Sequence, residues 1–391
     1  MTAGSMERDL QCRTFEQGPI RPPSEAKSLL IRATRNCPWN RCAFCHSYEG
    51  ARFSLRTREE VEGDIRTAKA VADEIREISW RMGRAGRIDD AVLRYIYGRQ
   101  DTYGDAHRSV AAWLYFGGTS VFLQDADSLV MKTDDLAAII SLIRSTFPTV
   151  ERITTYCRSK TASRKPVEEL RRLKEAGLSR VHIGLESGSD EVLKFVRKGV
   201  TAAEHIEGGR RVVEAGLSLS EYVIPGLGGE AWSKVHAEET ARVLNAIGPR
   251  FIRLRTLQIV RNTLLYEKLK KGEFTPLDDE AVLAEIRLLL ENLEGIESTV
   301  VSDHILNLLE EVTGRLPEDK ERMLGVIDAY FALPKEDRLV FRIGRRRGIY
   351  RSLADLEDRV TYERLRGVLA AYEGGEGDLE RDLRRLMHQY I

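Results

Sequence analysis

The chain has 391 residues, 42% of them hydrophobic, with 61 Lys+Arg against 61 Asp+Glu and a formal net charge of +0. That length exceeds what one small core serves, so a large α/β domain with an appendage is expected, and the charge balance excludes a global field drawing the protein to nucleic acid or an anionic membrane. No apolar run approaches the roughly 20 residues of a spanning helix, and the start, MTAGSMERDLQCRTFEQ, lacks the apolar segment of a signal peptide, so the expected compartment is the cytoplasm.

Residues 1–27 read as an N-terminal arm. From Ser28 to about residue 262, short β-branched runs alternate with amphipathic helical stretches. The strand candidates are SLLIRAT, TSVFLQD, ERITTYCR, RVHIGLE, LSLSEYVIPG and FIRLRTLQIV, the pattern of a parallel sheet wrapped by helices. Two phrases, LKEAGLSRVHIG and VVEAGLSLSEYVIPG, repeat helix, Gly, strand, with Gly177 and Gly216 at helix C-termini. The expected fold is α/β, a partial (β/α)6 TIM-type barrel over 28–262.

Immediately after the first strand stands RNCPWNRCAFCHSYEG, residues 35–50, which holds three of the five cysteines, Cys37, Cys42 and Cys45. Cys12 and Cys157 complete a set too small and too clustered for a secreted disulfide framework. C-x4-C-x2-C suits iron or zinc. Zinc wants a closed tetrahedron; His46 adjoins Cys45, so Cys12 is the remaining candidate for a fourth ligand. A redox reading of CAFC fits poorly with a third thiol just upstream. The other reading is a [4Fe–4S] cluster with three thiolate-bound irons and a fourth iron open to an external ligand.

Residues 84–113 look like a helical insertion. The second strand then ends VFLQDADSL, whose acceptors Gln124, Asp125 and Asp127 either meet a ligand or cap the following turn. The third ends TYCRSKT, where Arg158 and Lys160 are suited to a carboxylate, or to solvent. Cys157 beside them is a core thiol or a hydrogen-atom donor lining the cavity. The fourth gives HIGLESGSDEVL: Glu186 and Ser187 close the strand, and Ser189 or Asp190 caps the next helix. In VIPGLGGE, glycines such as Gly226 let backbone approach a ligand closely. On the sixth strand alternation puts Arg253, Arg255 and Leu257 on one face.

Residues 263–391 read as a mainly helical C-terminal domain with one strand candidate, ESTVVSD. Asp303 and His304, just after it, form an acid/base pair or a helix cap, since histidine titrates near neutrality. FRIGRRRGIYR supplies Arg342, Arg345, Arg346, Arg347 and Arg351, a run that suits an anionic substrate, a phosphate or RNA, or a solvated face.

With its cysteine triad behind the first strand, Phe44 before the last cysteine and six β/α units, the stretch from Ser28 to Val260 resembles the radical S-adenosylmethionine (radical SAM) superfamily. The commonest triad there has three residues between its first two cysteines; this chain has four, Pro38 to Arg41. The phrase GLESGSDEVL is shared with groups resembling oxygen-independent coproporphyrinogen oxidase and the methylthiotransferases. The resemblance implies a [4Fe–4S] cluster on Cys37, Cys42 and Cys45, with S-adenosylmethionine on its open iron. The cluster, reduced by flavodoxin or ferredoxin, would cleave that cofactor to a 5′-deoxyadenosyl radical that takes hydrogen from substrate. It further implies that Asp125, with Gln124 beside it, meets the cofactor's amino group where the family has a Gly-Gly-Glu-like stretch, with Asp127 reaching toward substrate. Arg158 and Lys160 would meet the carboxylate, Glu186 and Ser187 the ribose, and Gly226 and Leu257 the adenine, with Arg253 and Arg255 nearby. No second cysteine cluster is present for an auxiliary iron–sulfur centre, and some 27 residues before the barrel are too few for a cobalamin domain. A small-molecule substrate is expected; an RNA-modifying enzyme using the arginine run and a zinc-stapled, non-enzymatic binding module are the alternatives.

Overall fold

The computed structural model describes residues 13–373 and 378–387. Its strands are β1 (Leu29–Arg32), β2 (Thr34–Arg35), β3 (Ser54–Leu55), β4 (Ser120–Gln124), β5 (Arg152–Cys157), β6 (Leu178–Glu186), β7 (Ser218–Val223), β8 (Phe251–Leu254), β9 (Thr299–Val301) and β10 (Gly314–Arg315). Its helices are α1 (Arg58–Arg81), α2 (Asp90–Tyr97), α3 (Asp105–Tyr115), α4 (Thr133–Thr146), α5 (Ser159–Ala162), α6 (Val167–Ala176), α7 (Asp190–Phe195), α8 (Ala202–Glu214), α9 (Gly229–Ile247), α10 (Leu264–Lys270), α11 (Asp279–Asn292), α12 (Lys320–Ala332), α13 (Lys335–Arg346), α14 (Arg359–Glu373) and α15 (Leu379–Met387). Hydrogen bonding runs β1-β4-β5-β6-β7-β8-β9-β10, so six expected strands lie in sequence order, as repeated β/α units demand. The α/β reading holds, with a mostly parallel sheet. Among the described residues no helix is long and apolar enough to cross a membrane.

The chain forms two compact units. The first comprises Met1–Asn40, Ser47–His182 and Glu214–Ser218. In it β1 pairs parallel with β4 (Leu29↔Val121) and β4 with β5 (Ser120↔Arg152). Helix α1 starts on a capping box: Glu60 N–H donates to Thr57 Oγ1 at 3.2 Å and Thr57 N–H to Glu60 Oε2 at 2.7 Å. Its buried stripe Val61, Ile65, Ala68, Val71, Ala72 and Ile75 follows helical spacing. The expected insertion consists of α2 and α3, with Val92, Ile96, Val110 and Trp113 buried; Trp113 donates to Ser120 O at 2.9 Å. Gly177 and Gly216 have φ of 121° and 73°, as the helix–Gly–strand echo requires. The start of β6 carries His182, which packs edge-on against Phe122 and Tyr156, its Nε2 3.4 Å from buried Glu25.

The second unit comprises Arg41–His46, Ile183–Val213 and Leu219–Ile391. Here β7 pairs parallel with β8 (Tyr222↔Arg253), β8 with β9 (Phe251↔Thr299), and β10 closes antiparallel on β9. The C-terminal region is thus not only helical: its β-branched Thr299–Val301 run extends the sheet beyond the six expected strands. Strand β8 ends at Leu254, so Arg255 and Leu257 lie past the strand and their facing is not set by alternation with Arg253.

The arginine run behaves differently from a surface patch. Arg342, Arg345 and Arg346 are buried on α13. Arg346 Nη2 lies 2.5 Å and Arg342 Nε 3.2 Å from the Asp279 carboxylate, Arg342 Nη1 2.7 Å from Glu380, and Arg345 Nη2 2.8 Å from Glu310. Burial alone would raise the Asp279 carboxyl, but the Arg346 and Arg342 charges outweigh it and hold it below its usual range. Only Arg347 and Arg351 of the five are exposed. Three of the five arginines are thus internal ion-pair partners, with Arg342 and Arg346 sharing the buried Asp279 carboxylate.

Candidate active site

In the first unit the cysteine loop leaves β1 through Arg32 and Asn36. Asn36 and Asn40 adopt left-handed backbone, φ 67° and 44°, a conformation asparagine tolerates. Asn36 Nδ2 donates to Arg52 O at 2.6 Å, Asn40 Nδ2 to Tyr48 O at 2.6 Å, and Asn40 N–H to Cys37 Sγ at 3.4 Å. The turn therefore presents a half-buried thiol whose sulfur accepts from a backbone N–H.

The acceptors ending β4 have distinct tasks. Gln124 is wholly engaged by the arm: its Oε1 accepts from Gly18 N–H at 2.8 Å, and its Nε2 donates to Gly18 O at 3.0 Å and Ile20 O at 2.6 Å. The expected cofactor contact of Gln124 thus gives way to a structural one. Asp125 Oδ2 accepts from Arg32 Nε at 2.8 Å, Arg32 Nη2 at 2.5 Å and Asn36 N–H at 3.0 Å. Oδ2 is filled by these donors and braces the cysteine loop, while Asp125 Oδ1 is buried without a hydrogen-bond partner among the described residues.

Asp127 is fully buried and makes no helix-cap bond. Its Oδ2 accepts from Thr161 Oγ1 at 2.5 Å. Burial pushes its carboxyl up to about 6, against the Thr161 bond and the Arg158 charge. Next to it, burial and the Asp127 charge push the Cys157 thiol well up, so it stays S–H at neutral pH. Arg158 stacks its guanidinium over Trp39, 5.4 Å from the ring centre. Lys160 lies one turn on, in α5.

In the second unit Cys42 and Cys45 sit on a short turn, Cys45 N–H donating to Cys42 O at 3.2 Å. Between them Ala43 N–H donates to Val196 O, and Leu265 N–H to Ala43 O, each at 2.7 Å. Phe44 and Leu257 pack on the same apolar cluster as Ala43, Val192, Val196 and Leu227. Leu257 N–H also donates to Pro225 O at 2.9 Å, which brings Leu257 alongside Gly226. Gly226 N–H in turn donates to Glu285 Oε1 at 2.6 Å. Glu186 occupies left-handed backbone, φ 64°, and its Oε1 pairs with Lys198 Nζ at 2.9 Å. Strained, non-glycine backbone of this kind concentrates at functional positions. Ser187 Oγ lies 2.8 Å from His236 Nδ1, whose Nε2 is 3.1 Å from Ile224 O.

Arg253 and Asp303 come together, Nη1 to Oδ2 3.8 Å, and Arg253 Nε donates to Ser220 Oγ at 3.2 Å. His304 does not titrate near neutrality: burial and the Arg255 and Arg345 charges push it down to about 4, and its Nδ1 accepts from Leu306 N–H at 3.2 Å. Two residues escaped the sequence reading. Lys198 forms the ion pair with Glu186. Glu221, fully buried on β7 with neither carboxylate oxygen hydrogen-bonded, is driven well above the usual carboxylate range by burial and the Glu186 charge. A glutamate inside LSLSEYVIPG was the only available signal.

Cys37 and Cys42 are half-buried and Cys45 is exposed, all in no disulfide, so the three thiols lie outside the apolar core, as ligands of a cluster or of zinc would. The four-cysteine zinc reading needs Cys12, which lies outside the described residues.

Comparison with known proteins shows what the chain is similar to. The sequence model of the Radical SAM superfamily matches residues 94–241. A tRNA uridine(34) acetyltransferase of Methanocaldococcus infernus is 25% identical over 125 residues, 30% of this chain and 22% of that protein. A tRNA-2-methylthio-N(6)-dimethylallyladenosine synthase of Alkalilimnicola ehrlichii is 39% identical over 70 residues, 17% of this chain and 15% of that one. The chain thus spans about a fifth or less of these relatives' length. Among solved structures, the cobalamin-dependent S-adenosylmethionine radical enzyme OxsB aligns at TM-score 0.43 and 14% identity, over 92% of this chain and 58% of that one. Methylornithine synthase (PylB) aligns at 0.41 and 12%, over 78% and 74%. With this match over residues 94–241 and a cysteine loop set directly behind β1, the chain is similar to the radical SAM superfamily, whose members use a [4Fe–4S] cluster and S-adenosylmethionine.

Proposed function

We propose that this enzyme removes a hydrogen atom from a small-molecule substrate, with Cys37, Cys42 and Cys45 as the cluster ligands. Cys37, Cys42 and Cys45 would hold the cluster, which when bound would supply one-electron reductive cleavage of S-adenosylmethionine, with flavodoxin or ferredoxin as the electron source. The observation that carries the reading is the anchored loop. Asn36 and Asn40 hold the turn at Cys37, while Ala43 is bonded on both sides between Cys42 and Cys45.

The remaining roles are assigned by chemistry. Arg158, preorganised over Trp39, and Lys160 offer cations to the methionyl carboxylate. Glu186, steadied by Lys198, and Ser187 offer acceptors to ribose hydroxyls. The Gly226 backbone and Leu257 form an apolar edge for adenine. On the substrate side we place Asp127 and the Cys157 thiol, one a carboxyl that changes protonation near neutrality and the other an S–H able to return a hydrogen atom. The pair of Arg253 and Asp303, with exposed Arg255, offers substrate charge recognition.

A nucleic-acid substrate is the second reading, favoured by the tRNA-modifying relatives. The arginine run does not support it, since three of the five guanidinia are buried in ion pairs. Anaerobic purification followed by reduction with S-adenosylmethionine tests the main reading: 5′-deoxyadenosine should form, and tRNA binding should lack the steep salt dependence of a phosphate-tracking surface. Absence of 5′-deoxyadenosine from iron-loaded protein would reject it.

A further inference from the structure

The N-terminal arm makes several polar contacts with the residues that launch the cysteine loop. Glu16 accepts from Arg32 Nη1 at 2.9 Å and from Arg35 Nε and Nη2 at 2.8 and 2.7 Å. Its own N–H donates to Asp64 Oδ2 at 3.2 Å, the oxygen that Arg56 Nη1 approaches to 2.5 Å while also holding Arg32 O at 2.8 Å. Two residues on, Gly18 is clasped by Gln124 through both its N–H and its carbonyl. A Cβ there would fall 2.0 Å from Asp125 Oδ1, so only glycine lets the arm lie over that carboxylate. Asp125, in turn, ties Arg32 to the N–H of Asn36, the residue before Cys37. The contacts form one chain: arm, Arg32, Asp125, Asn36, Cys37.

We propose that Glu16, Gly18 and Asp125 are positioning residues for the cluster: the arm is a latch that fixes the Cys37 end of the loop and places negative charge beside it. The inference rests on Cys37 being a cluster ligand. Arg32, Arg35 and Arg56 face Glu16, Glu60, Asp64 and Asp125, three cations against four anions. Partners one shell beyond a metal's ligands set both ligand orientation and electronics. Removing the Glu16 charge makes the surroundings of Cys37 less negative, which favours the reduced, more negative cluster.

The test uses the full chain, reconstituted anaerobically with iron and sulfide, in wild-type, Glu16→Gln, Glu16→Asp, Gly18→Ala, Asp125→Asn and Cys37→Ala forms. The readouts are iron per chain, the rate of iron loss to a ferrous chelator, and the midpoint potential from an EPR-monitored titration. Glu16→Gln and Gly18→Ala should lose iron roughly tenfold faster, the lower end of the usual effect of such partners. Glu16→Gln should shift the potential upward, and Glu16→Asp should restore both. Glu16 sits at the surface, its side chain 28% exposed, so Glu16→Gln decides the matter even where Asp125→Asn fails to fold. Wild-type iron loss and potential in both Glu16→Gln and Gly18→Ala would overturn the latch. Cys37→Ala that keeps its iron like wild type would instead overturn the ligand assignment on which it rests.

Discussion

Asp127→Asn should make the protein more stable, and only above about pH 5. The Asp127 carboxyl is pushed up to about 6 from an ordinary 3.8. At about 1.4 kcal/mol per pH unit, its ionised form disfavours the folded state by about 3 kcal/mol. A carboxyl raised on folding imposes no penalty below its unfolded value. The penalty grows as pH climbs between about 4 and 6, and is complete above the folded value. Asparagine keeps the shape and can still accept from Thr161, at the loss of about 1 kcal/mol of charge-assisted hydrogen bonding. The net expectation is a gain of about 2 kcal/mol at pH 7.5 and none at pH 4. Urea unfolding of the iron-free protein and its variant at those two pH values measures it. A gain equal at both pH values, or a loss at pH 7.5, would refute the argument that Asp127 is retained at a cost to stability. Groups kept at such a cost concentrate where chemistry needs them.

Cys42→Ala should lose the cluster while Cys157→Ala retains it, read as iron per chain after anaerobic reconstitution; loss in both variants would contradict a three-ligand set. Arg346→Met should lower stability by about 3 kcal/mol, because it strips a buried carboxylate of a partner 2.5 Å away. The same variant should leave tRNA affinity at the wild-type level in a filter-binding assay, whereas a parallel fall in affinity would return the arginine run to an RNA-binding role.

Features governed by local periodicity were legible in the sequence. Every expected barrel strand is present because β-branched runs bounded by glycine and by helical spacing leave few alternatives, and the echo of Gly177 and Gly216 reports a backbone conformation directly. Long-range polar pairing was not legible. Gln124 and Asp125 look like ligand contacts at a strand end, yet their partners are Gly18, 106 residues away, and Arg32, 93 away. Arg342, Arg345 and Arg346 look like a basic face until Asp279, Glu310 and Glu380 are brought to them by helix packing. His304 reads as a neutral-pH switch by residue type alone; its burial beside two arginines removes that property. Glu221 shows the converse, an unremarkable strand residue made unusual by complete burial.

The most direct measurement is the metal and product content of protein purified without oxygen. Brown protein with about four irons per chain, as one [4Fe–4S] cluster requires, that forms 5′-deoxyadenosine on reduction with S-adenosylmethionine is the predicted result. Colourless protein carrying a single zinc, and forming none, would contradict it.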